Sequence, residues 1–195
     1  TGLAQINLRY DGSFNSNVIR QANSLLREQS DSQASLTLIG KKGRDFFRRR
    51  KAPIRREFID LFRVLSYPAA ADIGKEILKD YLEGEVDQIT LIFNEFKSTL
   101  QQRVVVQPLL PISPEIPTRE DLTDYLYEPS ADQVIDELLK KYVEVKIYHA
   151  LLESLVGEYA SRMTAMDAAT NNAEDMIVQL TLTFNKARQA AITKE

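Results

Sequence analysis

Residues 130–195 read SADQVIDELLKKYVEVKIYHALLESLVGEYASRMTAMDAATNNAEDMIVQLTLTFNKARQAAITKE, a stretch without proline that carries an apolar repeat from end to end. One line of the repeat is Leu138, Val145, Leu152, Tyr159, Met166, Ala173, Leu180 and Ala187. The other is Tyr142, His149, Val156, Met163, Thr170, Ile177, Phe184 and Ala191. Alternating steps of four and three define a coiled-coil stripe, narrower than the face of a globular helix. At about 1.5 Å per residue such a helix extends roughly 100 Å. The 129 residues before it are too few to cover that length, so much of it is expected to lie against another helix or inside another protein.

The stripe thins along its course. Leu138, Tyr142, Leu152 and Tyr159 are bulky, whereas Thr170, Ala173, Ala187 and Ala191 are small and leave only Ile177, Leu180 and Phe184 as large distal groups. Small residues admit a close partner but bury little area, at about 25 cal/mol per Å². His149 and Thr170 sit in the stripe as polar interruptions that cost stability and fix register, and His149 is expected to be packed and hydrogen-bonded. Both ends of the chain read as cut: it begins at Thr1 and stops at Glu195 without a Gly or Asn helix stop. The patterns within residues 1–129 are all short, so the stripe's partner is expected in another chain or in another part of this protein.

Working outward, residues 1–129 alternate strand and helix signals. Asn15–Gln29 is helix-like, with Asn15 or Ser16 as cap and Val18, Ile19, Ala22, Leu25 and Leu26 on one face. Ser35–Ile39 (SLTLI) is a short strand ended by Gly40, and Arg44–Arg50 is a short helix anchored by Phe46 and Phe47 and ended by Pro53. Phe58–Leu65 is ambiguous between strand and loop. Ala69–Glu83 has helical spacing that places Ile73, Ile77, Leu78, Tyr81 and Leu82 together, and Gln88–Phe96 and Val104–Leu110 read as strands. Pro108, Pro111, Pro114 and Pro117 imply an extended connection, Tyr125–Tyr127 a last strand, and Pro129 a boundary before a helix capped by Ser130 or Asp132. The fold class expected is α/β: a Rossmann-like unit of mostly parallel strands over 1–129, plus one long C-terminal helix over 130–195.

Composition narrows the chemistry. With 44% hydrophobic and 27% charged residues the chain is a folded protein, soluble or peripherally attached, and no apolar run approaches the roughly 20 residues of a membrane span. A net charge of −3 gives no bulk attraction to nucleic acid. The absence of cysteine rules out thiolate sites, and a single histidine leaves little for a Ser-His-Asp triad or a histidine metal site. Asp11-Gly12-Ser13-Phe14-Asn15 and Gly40-Lys41-Lys42-Gly43 supply neither a dinucleotide nor a P-loop fingerprint. The basic cluster Lys41, Lys42, Arg44, Arg48, Arg49, Arg50, Lys51, Arg55 and Arg56 is read as a solvated surface or one facing an acidic partner, with nucleic acid as the lesser reading. Met163 and Met166 read as adaptable packing, and the acidic pairs Asp136/Glu137 and Glu174/Asp175 as solvated faces. No catalytic constellation is evident, and no metal or cofactor is expected.

The segments ASRMTAMDAATNNAEDMI (160–177) and LTFNKARQAAITKE (182–195) resemble the C-terminal helix of the gamma subunit of F-type ATP synthases. The likeness is long and ungapped, and it rests on specific residues: Arg162, Met163, Met166, Ala169, Thr170, Asn172, Ala173, Asn185, Ala187, Arg188, Gln189, Ala190, Ile192, Thr193 and Glu195. FNSNVIRQA (14–22), VVVQPLLP (104–111) and YEPS (127–130) extend it over the chain from Gly12 onward. One departure concerns the family's Gly-Leu-Cys-Gly-like turn after its first strand, where this chain reads Leu8-Arg9-Tyr10-Asp11-Gly12-Ser13. Residues 1–10 are then either a divergent strand or a segment not contiguous with Asp11. The short Pro111–Tyr125 connection has no counterpart of the cysteine insert found in photosynthetic relatives.

The resemblance implies a rotor: a coiled-coil shaft inside the alpha/beta catalytic head and an α/β foot touching epsilon and the membrane c-ring. It also implies that the missing partner is the subunit's own N-terminal helix, wound antiparallel, and that a last turn or two follows Glu195. The subunit would perform no bond chemistry and would be a peripheral membrane protein on the cytoplasmic face of a bacterial inner membrane or its organellar equivalent. Along the shaft, Leu152, Val156, Tyr159, Met163, Met166, Thr170, Ile177, Leu180 and Phe184 would be the seam. Arg162, Arg188, Gln189 and Thr193 align with positions implicated in polar contacts to the head, Arg188 as a forked donor to carboxylates of a beta-subunit loop. Two other classes remain: a coiled-coil scaffold, which leaves the matched polar residues unexplained, and a small nucleotide-binding enzyme, which lacks a phosphate loop.

Overall fold

A computed structural model of the chain describes residues 3–8, 13–28, 34–59, 61, 65–99, 101–112, 128 and 130–194. Among these the elements run β1 (Leu3–Leu8), α1 (Ser13–Glu28), β2 (Ser35–Ile39), α2 (Lys41–Arg49), β3 (Ile54–Phe58), α3 (Tyr67–Leu82), β4 (Gln88–Phe96), β5 (Gln102–Leu110) and α4 (Ala131–Lys194). The strands make one sheet in the order β3-β2-β1-β4-β5. β1 to β4 are mutually parallel and β5 runs antiparallel to β4. The α/β architecture with a long C-terminal helix is therefore as expected, and residues 3–8 form its central strand, with Ile6 level with Thr37 on one side and Leu91 on the other.

The handedness of strand–helix–strand units explains the layers. The chain steps outward from β1 through α1 and α2 to β3, then returns through α3 to the far side of β1, so right-handed crossovers put α1 and α2 on one face and α3 on the other. Burial follows this division with a period of two. Leu36 and Leu38 of β2 and Ile92 of β4 pack with Val18, Ala22 and Phe47 from α1 and α2. Ile89, Leu91 and Phe93 of β4 face the opposite way and pack with Ala70, Ile73 and Ile77 of α3 and with Val143, Ile147, Ala150 and Leu151 of α4. The proximal half of α4 is thus a structural layer of the α/β unit.

Several local expectations shift. The helix expected at Asn15 begins at Ser13, so neither Asn15 nor Ser16 caps it. The helix anchored by Phe46 and Phe47 begins at Lys41, directly after Gly40, whose φ of 109° suits a residue without a side chain. The third strand lies at Ile54–Phe58, ahead of the ambiguous Phe58–Leu65 stretch. Its sequence, IRREF, hides a strand because both central arginines are held in ion pairs at the sheet edge. Arg56 grips Asp80 of α3 with Nη2–Oδ1 at 2.5 Å and Nε–Oδ2 at 3.1 Å. Leu82 does not join Ile73 and Ile77 in the core; it is 71% exposed in the last turn of α3, before Gly84 turns the chain at φ 73°. At the start of α4 the Ser130 hydroxyl accepts the Gln133 N–H at 3.4 Å, a long cap contact, while Asp132 lies within the first turn. Asp11–Gly12, Tyr125–Tyr127, Pro129 and most of the Pro111–Tyr125 connection lie outside the described residues.

Candidate functional site

The candidate functional surface is α4. Over 64 residues and about 96 Å it presents two different stripes. One faces the sheet: Val143, Ile147, Ala150, Ser154, Gly157 and Ser161, stepping by four and three, with Glu144, Leu151 and Glu158 beside it; all are buried except Ser161, which is half-buried. Small residues in this stripe let the helix lie close to the sheet. The sequence reading missed it because the bulkier seam masks its weak apolar content.

Polar contacts tie this stripe to the α/β unit at several heights. Low on the helix, Glu144 is only 4% exposed, accepts the Tyr67 hydroxyl at 2.7 Å and the Lys141 ammonium at 2.9 Å, and lies against Gly74 of α3. The hydrogen bond from Tyr67, then that from Lys141, holds its carboxyl below the usual glutamate range against the opposing effect of burial. Higher up, Glu153 accepts the backbone N–H of Phe96 at the end of β4, at 2.7 Å. The Gln102 amide donates to the Gly157 carbonyl and to the Ser161 hydroxyl, at 2.8 and 2.9 Å. Among the described residues the last contact is Thr164, whose hydroxyl lies 3.5 Å from the Thr99 carbonyl oxygen. Residues 165–193 are exposed all round.

The second stripe is the seam read from sequence, and it points away from the α/β unit. Leu152 is half-buried; Val156, Tyr159, Met163, Met166, Thr170, Ile177, Leu180 and Phe184 are exposed, Phe184 to 68%. An apolar row of this length is more than scattered surface hydrophobics, and no described residue of the chain covers it. His149 departs from expectation: its side chain is 62% exposed, with Nε2 3.5 Å from Glu153 Oε1. Thr170 satisfies its hydroxyl on the Met166 carbonyl of its own helix at 3.0 Å.

The four polar positions differ in readiness. Arg162 is paired with buried Glu158 and lies over the Tyr159 ring at 5.8 Å. The Thr193 hydroxyl is spent on the Gln189 carbonyl at 2.8 Å. Arg188 and the Gln189 side chain are exposed and make no hydrogen bond or ion pair among the described residues. Four arginines of the basic cluster are paired locally: Arg44 pairs with Asp45, Arg48 with Glu57, Arg55 with Asp80 and Glu85, and Arg56 with Glu76 and Asp80. Arg50 stacks on Phe46 at 4.1 Å. Among the described residues there is no cluster of three or more His, Cys, Asp or Glu fit to hold a metal ion, and no helix is long and apolar enough to cross a membrane.

A sheet that carries one long helix, half anchored and half bare, has close counterparts. The sequence pattern of the ATP synthase family matches residues 11–195. This chain belongs to the ATP synthase gamma family. It is 48% identical over 185 residues to the ATP synthase gamma chain of Pelotomaculum thermopropionicum, covering 94% of this chain and 65% of that one. With the gamma chain of Moorella thermoacetica it shares 45% identity over 184 residues, 94% of this chain and 64% of that one. The chain thus spans just under two thirds of the length of these family members. Among solved structures it is similar to a chain of the Tetrahymena thermophila mitochondrial ATP synthase central stalk and c-ring, with a TM-score of 0.70, 26% identity, and coverage of 87% of this chain and 76% of that one. A chain of the Euglena gracilis mitochondrial ATP synthase rotor shares the fold, with a TM-score of 0.61 at 17% identity, over 98% of this chain and 74% of that one.

Proposed function

We propose that this chain is the foot and half of the shaft of the rotor in an F-type ATP synthase. The observation that supports this reading best is the bare distal helix, residues 165–193, continuous with a proximal half that is locked onto an α/β unit. Residues 1–129 make the foot, which borrows the start of the 130–195 helix as one of its layers. The seam takes an antiparallel helix from the same subunit's N-terminal part, and the resulting coiled coil stands inside the alpha/beta head. The foot meets epsilon and the c-ring on the cytoplasmic face of a bacterial inner membrane, or the equivalent organellar face, and ion flow through the ring turns it.

The chain carries out no bond chemistry in this reading. An asymmetric shaft presents a different surface to each catalytic site, and differential contact energy favours a different conformation at each. Arg188 and Gln189 are the polar groups free to engage the head, and a guanidinium fork suits a carboxylate pair. Arg162 serves the shaft's own surface until a partner displaces Glu158. The test is co-assembly: the subunit that contains this chain should purify with alpha and beta subunits in three-to-one excess each, and a bead fixed to the foot should rotate on ATP addition. Assembly of an active, rotating head from which this chain is absent would overturn the proposal.

A further inference from the structure

We propose that Glu144, with Tyr67, Lys141 and the bare backbone of Gly74, is the key that fixes the rotational phase of the helix on the foot. This rests on the rotor reading above and names the joint through which torque would pass. Apolar contact alone makes a poor joint. Val143, Ile147, Ala150 and Leu151 are held by a force that is roughly proportional to area and has no direction, so a roll or slide of the helix over a smooth apolar face costs little until side chains clash. Hydrogen bonds are directional, and a buried carboxylate cannot leave its donors without stranding charge.

The geometry at Glu144 supplies both constraints at once. The Tyr67 hydroxyl reaches it from the first turn of α3 at 2.7 Å, and Lys141, one turn earlier on α4, closes it at 2.9 Å. The Tyr67 ring is itself held edge-on by Tyr148 of α4, with centroids 5.6 Å apart. At the same level Gly74 brings the helices so close that a methyl group there would stand 3.2 Å from the Glu144 Cα and 3.3 Å from its Cγ. Rolling α4 by one residue, about 100°, would take the carboxylate out of the α3 contact altogether. Glu153 and Gln102 add fixed points above, but those lie on strand ends, whereas Glu144 and Lys141 bond Tyr67 in the helix layer of the foot.

The experiment uses assembled ATP synthase carrying Glu144→Gln, Tyr67→Phe or Gly74→Ala, with subunit content checked before any assay. Two quantities are read: ions pumped per ATP hydrolysed, and the torsional fluctuation of a bead on the foot with the head stalled. A weakened joint should leave ATP hydrolysis at the wild-type rate while the pumping ratio falls and angular fluctuation widens, each by about three- to tenfold for Glu144→Gln, the scale of one net hydrogen bond lost. Tyr67→Phe removes a single oxygen and should give a smaller shift in the same direction; it keeps the test decisive should Glu144→Gln fail to assemble. Wild-type pumping and stiffness in assembled variants would overturn the joint and leave the rotor reading standing. Failure of the unmodified subunit to enter the complex would instead remove the rotor reading.

Discussion

A carboxylate between two packed helices is favourable only while it is charged and fully engaged. For Glu144 the Tyr67 and Lys141 hydrogen bonds lower the folded-state pKa, so its contribution to stability is present above the ordinary glutamate range and is lost as pH falls through the lowered value. Lys141 is raised, first by its hydrogen bond to Glu144 and then by Tyr67. Its contribution has the opposite sense: present below the ordinary lysine range, lost as pH rises through the raised value. Glu144→Gln should therefore destabilise the chain at neutral pH by about 1–3 kcal/mol, and the gap to wild type should narrow at roughly pH 3–4, near and below the ordinary glutamate range. Urea unfolding at the two pH values reads this; a gap that stays constant would show that the carboxylate's charge is not what matters. At the other end of the helix, Arg188→Ala with Gln189→Ala should impair torque and ATP synthesis without unfolding the foot, because both side chains are exposed and unengaged. A stranded partner in the head would cost about 2–5 kcal/mol, and Arg188→Lys should restore only part of it, an ammonium lacking the guanidinium fork. Torque and ATPase rate in reconstituted complexes decide the point, and wild-type torque would remove both residues from the mechanism.

At the scale of elements, legibility tracked how far a segment's own pattern sets its environment. β2 and β4 are near-continuous apolar runs because they are covered on both faces, and their limits, Ser35–Ile39 and Gln88–Phe96, follow directly from the sequence. β3 does not announce itself, since Ile54-Arg55-Arg56-Glu57-Phe58 is stabilised by ion pairs to α2 and α3 that only the fold brings near. On α4 the seam was legible through its large residues, while the foot-facing stripe of Val143, Ile147, Ala150, Ser154, Gly157 and Ser161 was not. Its small size is the requirement for close packing, yet in a sequence it reads as indifference. His149 was misplaced for the related reason that a seam position counts as core only once its partner is present. The same asymmetry predicts dynamics. Helices draw most of their stability from packing, so in the isolated 195-residue chain amides in 165–193 should exchange quickly and those of β2, β4 and the proximal α4 slowly. Hydrogen exchange resolved by segment tests this, and equal protection along α4 would mean that the exposed seam needs no partner.

For the molecule as a whole, the boundary that matters lies inside a continuous helix. Nothing in the sequence marks Thr164, yet among the described residues the last foot contact falls there, and every described side chain beyond it faces solvent. The core that holds the sheet includes Val143, Ile147, Ala150 and Leu151, so foot and proximal helix should unfold as one unit while the distal helix contributes almost nothing to it. Ending the chain after Thr164 should thus leave the thermal midpoint of the foot within a few degrees of the 195-residue chain, since no buried apolar area is lost. Ending it before Lys141 should unfold the foot, because one face of the sheet would lose half its cover and the Tyr67 hydroxyl its carboxylate. In the complex the order of severity changes. Loss of 165–195 should abolish coupling between the head and ion flow even though the foot stays folded. Thermal unfolding followed by circular dichroism, alongside ATP synthesis in reconstituted membranes, separates the two effects. A foot that melts much earlier when cut after Thr164 would show that the distal helix folds back onto it and is not a bare shaft.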